Sequence, residues 1–123
     1  MARTLNVQIQ AAADASMVAS QASTKTVTLG SMHMGDITCV IAGSSPNGSV
    51  KLQKNNAPEG QTATWVDLVN AEVRSGTNSQ SFAAAGTINW SIAHVAARQL
   101  RVYITRSSGT ITADIWGNFG SGD

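Results

Sequence analysis

Side chains able to do chemistry are few in this sequence, and they are scattered. Its carboxylates are Asp14, Asp36, Glu59, Asp67, Glu72, Asp114 and Asp123, and no two of them form a local motif. General acid–base catalysis needs two groups positioned on one substrate with pKa values driven apart, and nothing in the spacing pairs these. The segment "SMHMGD", residues 31–36, offers a Met-His-Met set suited to a soft metal such as copper. Successive side chains on a strand point to opposite faces, so three adjacent residues cannot converge on one ion. Met32 and Met34 therefore read as apolar plugs at the edge of a core. His94 has no companion at metal-ligand spacing. Cys39, the single cysteine, lies in the apolar run "DITCVIA", where a buried, inert thiol is expected rather than a nucleophile. These readings expect no enzyme, no metal and no cofactor.

What remains is chemistry of contact. Trp65, Trp90, Trp116 and Tyr103 could line a carbohydrate site, or serve as core and protein-interface anchors. Trp90 alternates with Ile88 and Ile92 and reads as core. Trp65 borders a polar loop and reads as the cap of an apolar layer. Trp116 is out of phase with Ile115 and is the best aromatic candidate for a contact surface. Arg98, Arg101 and Arg106 sit on one strand and its flanks. They form either a solvated face or a docking stripe for an acidic partner. The loop "KNNAPEGQTAT", residues 54–64, is long and polar, and loops on a rigid scaffold carry recognition. The expected partner-binding residues are Trp116, Tyr103, Arg101, Arg106, Asn55, Asn56 and Glu59.

The elements that must hold these residues are strands. Alternation with period two recurs along the chain: Leu5, Val7 and Ile9; Val27 and Leu29; Ile37, Cys39 and Ile41; Val50 and Leu52; Leu100, Val102 and Ile104; Ile111, Ala113 and Ile115. Such alternation marks half-buried strands. "GSSPNGS" carries Pro46 and Asn47-Gly48 as a turn signal, and "RSSGT" places Gly109 where a tight hairpin needs positive φ. The last two strands are therefore expected to form an antiparallel hairpin. "AAADASMVASQA", residues 11–22, reads as loop with one helical turn, and "SIAHVAARQ", residues 91–99, as a short helical turn. About eight strands in one domain predict an all-β fold, an antiparallel β-sandwich or jelly roll. We expect a single domain over residues 1–123, with an N-terminal arm over about 1–24 and a Gly-rich tail at 117–123.

Composition narrows the function. At 123 residues the chain can bury a real core without disulfide or metal. A net charge of +1 argues against nucleic-acid binding and against electrostatic attachment to a membrane. No apolar run reaches membrane-spanning length, and "MARTLNVQIQ" alternates rather than forming a signal peptide. Synthesis in a cytoplasm is expected. Charged residues make up 12% of the chain, against about 25% for a typical soluble domain. Solubility then rests on Ser, Thr, Asn, Gln and Gly. Hydroxyl-bearing side chains lose less rotamer entropy on immobilisation than Lys or Glu, which suits a surface that packs against neighbours.

Taken together, "AGSSPNGSVKLQKNN", "TWVDL", "INWSI" and "RQLRVYITRSSGTITADIWG" resemble a group of small tailed-phage virion proteins. In that pattern a G-x-V-x-L-Q strand precedes a polar loop, then W-V-D-L, then an L-R-V-x-Y/I-T-R-x-S-G-T hairpin. The resemblance covers about residues 25–117. It implies a jelly-roll-like sandwich on the virus particle, as a capsid decoration or cement protein on the outside of the head, with the major capsid protein as partner. The alternative it leaves open is a tail, fibre or collar module that binds carbohydrate. The resemblance supplies no catalytic residues. Sheet edges with few guarding Lys or Pro further predict a homo-oligomer, dimer before trimer, with an N-terminal arm that orders on the shell.

Overall fold

A computed structural model describes residues 4–10, 16–17, 20–23, 25–29, 34–74, 77–93, 95 and 97–120. Among them are eleven strands: β1 (Thr4–Gln10), β2 (Ser16–Met17), β3 (Gln21–Ala22), β4 (Val27–Thr28), β5 (Met34–Ala42), β6 (Asn47–Asn55), β7 (Trp65–Asp67), β8 (Gln80–Phe82), β9 (Gly86–Ile92), β10 (Gln99–Ser108) and β11 (Ile111–Gly120). A 3₁₀ turn, Asn70–Glu72, is the helical element among the described residues.

Two antiparallel sheets result. The first runs β1-β11-β5-β9, with β2 also on β11. The second runs β3-β10-β6-β7, with β4 also on β10 and β8 also on β6. β1 and β2 share one side of β11, β3 and β4 one side of β10, and β7 and β8 one side of β6. Eleven strands thus fill eight ladder positions. Numbered along the chain, those positions run 1-8-3-6 in one sheet and 2-7-4-5 in the other. This is jelly-roll order, and the fold expected from alternation is the fold found.

The alternation dictates the interior. Ile9, Val27, Leu29, Ile37, Cys39, Ile41, Val50, Leu52, Trp90, Leu100, Val102, Ile104, Ile111 and Ile115 are buried between the sheets in one cluster. Each such side chain contributes roughly 1.5–3 kcal/mol of transfer free energy. The long central strands β5, β6, β10 and β11 supply most of it.

Several expectations are corrected. β10 and β11 are not a hairpin, because β10 pairs with β6 in one sheet and β11 with β5 in the other. "RSSGT" is a corner between sheets, although Gly109 does take positive φ, at 72°. Asn47 and Gly48 already belong to β6, and the turn before them is made by Gly43 at φ 121° and Ser45 at φ 48°. Most of the described part of the expected N-terminal arm is strand. Residues 4–10 pair along β11, and residues 16–17 and 21–22 pair along β11 and β10, because otherwise the edges of β10 and β11 would stay open. Gly117 and Gly120 of the expected tail are also strand, in β11. Gly117 lacks a side chain where the Phe119 ring folds over it, since a Cβ there would lie 2.5 Å from that ring. Ser91 and Ile92 end β9 rather than opening a helix. Met32, His33 and His94, and residues 11–15 and 121–123, lie outside the described residues.

Candidate interaction surface

Alternation sends Lys51 and Gln53 of β6, Trp65 and Asp67 of β7, and Arg101 and Tyr103 of β10 to the outer face of the second sheet. The register makes them neighbours: Gln53 stands opposite both Arg101 and Asp67, and Lys51 opposite Tyr103. Arg101 lies over the Trp65 ring with its Cζ 4.3 Å from the ring centroid. Its Nε donates to Gln53 Oε1 at 2.8 Å. The Gln53 amide donates in turn to Asp67 Oδ1 at 3.0 Å, and Lys51 Nζ donates to Asp67 Oδ2 at 3.1 Å. Lys51 Nζ and Arg101 Cζ stand 5.9 and 5.8 Å from the Tyr103 ring centroid. The guanidinium is thus held flat by an indole and locked at its Nε by an amide that a carboxylate orients.

Charge states follow from these contacts. The hydrogen bond from Gln53, and behind it the contacts of Lys51, hold the Asp67 carboxyl below its ordinary value against the opposing effect of burial. Partial burial draws Arg101 below its ordinary value and the Tyr103 side chain opposes that, but a guanidinium remains cationic at neutral pH. The Cys39 thiol goes the other way. Burial first, and Asp114 second, push it from 9.0 to about 12, so it is a packing group and not a nucleophile.

Above this face the loop 56–64 closes on its own neck. Asn56 N donates to Thr64 O at 2.8 Å. Asn55 Oδ1 accepts from Ala57 N and Thr64 N, both at 3.0 Å, and its amide donates to Gln99 Oε1 at 3.0 Å. Asn55 is buried. It is placed beneath the loop as its staple, and its side chain is not on the rim. Asn56 and Glu59 are exposed. A shallow recess lies along the loop, lined by Asn56, Ala57, Pro58, Gln61, Thr62 and Thr64.

The expected site residues therefore divide. Arg101 and Tyr103 come together, and Asn56 and Glu59 are exposed on the loop that follows β6. Arg106 lies at the far end of β10, where its Nε donates to Gly109 O at 2.6 Å and braces the corner. Trp116 is half-buried on the outer face of the other sheet, opposite Gln8 and Thr38. Trp65 does not cap the core as expected: it faces outward, because Asn55 opposite it turns its edge to the same side as Gln53 and Arg101. Sequence reading missed Lys51, Gln53 and Asp67 as members of this group. Their alternation with core residues was visible, but their register was not. Among the described residues no three His, Cys, Asp or Glu side chains gather as a metal site, and no helix is long and apolar enough to cross a membrane.

An eight-position jelly roll with a polar, aromatic-studded outer face defines the class of domain. No protein-family model and no curated protein sequence matches this chain. Among solved structures it is similar to YomS, an SPBc2 prophage-derived protein, with a TM-score of 0.58 at 11% identity, over 98% of this chain and 96% of that one. At that identity the likeness is one of fold.

Proposed function

We propose that this chain is a structural protein of a phage particle, a decoration or cement protein on the outside of the head that bridges copies of the major capsid protein. The observation that carries this reading is the end-to-end match of its jelly roll to a prophage-derived protein. It is a protein of surfaces rather than an enzyme, and the role needs no cofactor. Packaged DNA presses outward on a shell. A cement protein resists when opening one contact requires opening several, so that weak contacts multiply. Made in the host cytoplasm, the chain would end on the virion exterior.

A second reading, a tail, fibre or collar module that binds carbohydrate, is favoured by the Trp65–Arg101–Tyr103 group. The test is to add purified chain to particles stripped of it and to image them. Head binding with a raised disruption temperature is the expected result. Density for the chain on the tail alone would refute the cement role.

A further inference from the structure

We infer that residues 68–74 are an autoinhibitory guard on β9, latched by the Lys54–Glu72 ion pair, which closes the Ser91 end of that strand's edge to the addition of another strand. The inference concerns the margin of the first sheet and stands apart from the structural role proposed above.

Three observations carry it. The first is the division of the β9 edge. Arg74 N donates to Ser91 O at 2.7 Å and Ala93 N to Glu72 O at 3.1 Å, so that Val73 stands opposite Ile92 as a one-residue strand. Backbone groups along a strand face its two neighbours alternately, so the N–H and C=O of Thr87 and Asn89 face the same margin as Ser91 O. Among the described residues no strand pairs with them there, and β9 ends its sheet. One end of the edge is covered and the other is open. The second observation is the latch. Lys54 alternates with Val50 and Leu52 along β6 and so projects to the inner side of the second sheet. Its Nζ donates to Glu72 Oε2 at 2.8 Å, and Glu72 Oε1 accepts Val69 N at 3.0 Å. The pair ties a segment bonded to the first sheet back to β6 of the second. Its side chains are 20% and 13% exposed, against 31% and 52% for Lys51 and Asp67 on the outer face. The third is how little else holds the segment between its ends. Leu68 and Val73 enter the core, but Val69, Asn70 and Ala71 are exposed. Besides Glu72, the turn is held to its surroundings by Asn78 N, which donates to Asn70 Oδ1 at 3.0 Å.

A plain structural brace is the competing reading, and the chemistry of the contact decides against it. Proteins keep strands from adding at an edge by covering it or by turning a charge inward, and both devices meet here. Two charges this far from water give back in desolvation much of what their attraction supplies, so an apolar pair would brace the sheets as well. What the ion pair adds is a conditional hold. Loss of either charge strands the other on the inner side, and the exposed turn is the part free to carry it out to water. With the guard shut, an added strand can bond at Thr87 and Asn89 but cannot run on along β9. With it open, Ser91 O and Ala93 N join the same margin and the pairing edge lengthens. In the purified chain, the strand that can add there belongs to another copy.

The test is amide hydrogen exchange and sedimentation velocity on the purified full chain, for the wild type, Glu72→Gln, Lys54→Met and Lys51→Met. Glu72→Gln keeps the side-chain volume and an acceptor for Val69 N, so it reads the latch even if Lys54→Met does not fold. In the latch variants we expect the Arg74 and Ala93 amides to exchange at least about tenfold faster, the mark of a local opening, while those of Val40 and Val102 on the central strands keep their wild-type rates. The same variants should form larger species than the wild type at equal concentration. Lys51→Met breaks the more exposed pair, which contributes little, and should match the wild type in both readings. Unchanged exchange at Arg74 and Ala93, an equal rise at Val40 and Val102, or faster exchange without larger species overturns the inference. Particle attachment is measured separately, so failure here leaves the cement role standing, and the reverse.

Discussion

Asn78 shows what one buried polar side chain does in this fold. β7 pairs with residues 53–55 of β6 and β8 with residues 48–50, so the strand position they share is broken between them. At the break, Leu52 N donates to Asn78 Oδ1 at 2.7 Å, and the Asn78 amide donates to Leu52 O and Leu68 O, each at 3.0 Å. A side-chain amide stands in for the missing strand. The Asn78 backbone carbonyl accepts the Trp90 indole N–H at 2.8 Å, which satisfies the polar end of the largest core side chain. Asn78→Ala would leave the buried Leu52 N–H without its partner, at about 1–3 kcal/mol for an unsatisfied group, and would remove the amide's bonds to Leu68 O and to Leu52 O, which keeps the Leu68 N–H. We expect a loss of about 2–4 kcal/mol, seen as a lower urea midpoint with unchanged slope. A loss under about 0.5 kcal/mol would show that the amide is dispensable. Nothing in the sequence marks this asparagine, which lies in a polar run and owes its role to a strand break that only folding creates.

At the scale of elements, the two corners that carry the chain between sheets brace each other. Thr110 N donates to Ser44 O at 3.0 Å, and Ser44 N donates to Thr110 Oγ1 at 3.0 Å. The corners meet so closely that a Cβ on Gly109 would lie 2.0 Å from Ser45 O. Gly109 also has φ 72°, a region costly to residues with a side chain. Gly109→Ala therefore combines backbone strain with a clash against backbone, and neither can relax without moving the other corner. We expect it to cost more than about 2 kcal/mol in thermal unfolding, whereas Gly86→Ala, with open space around the Cβ position, should be far milder. Equal effects at the two sites would contradict the account. Sequence alone marked Gly109 as a positive-φ glycine, but local turn chemistry cannot tell a hairpin from a crossover. The choice was made by β6 and β5, which pair with β10 and β11 over nine residues each and draw them into different sheets.

Across the whole molecule, the open margins of the sheets matter most. β9 ends the first sheet, and its stretch Gly86–Asn89 carries no charge and no proline. Beyond it, Arg74 N and Ala93 N bond to Ser91 O and Glu72 O and cover the end of the strand. Natural proteins guard exposed edges with Lys, Pro or bulges, and this margin has none of these. We propose that it pairs with a second copy, giving the homo-oligomer, a dimer before a trimer, that the cement role favours. Sedimentation equilibrium of the purified chain should give a dimer mass, and Thr87→Pro, which removes a donor at the edge, should give a monomer. A wild-type chain that sediments as a monomer at all concentrations would refute the pairing.

By itself the sequence determined which side chains go inside. Period-two alternation is a local property, and burial of one apolar face follows from it wherever two such faces can stack, so the all-β sandwich and its core were legible. Tertiary structure alone decided which strands are neighbours. The Arg101–Trp65–Gln53–Asp67 group joins residues up to 48 positions apart, and its existence depends on register between strands that share no local signal. Trp65 illustrates the difference: its alternation was plain, yet whether it faced core or solvent turned on the sheet to which β7 attached. Surface function resides in that register, because hydrogen bonding between backbones is indifferent to the side chains it brings together.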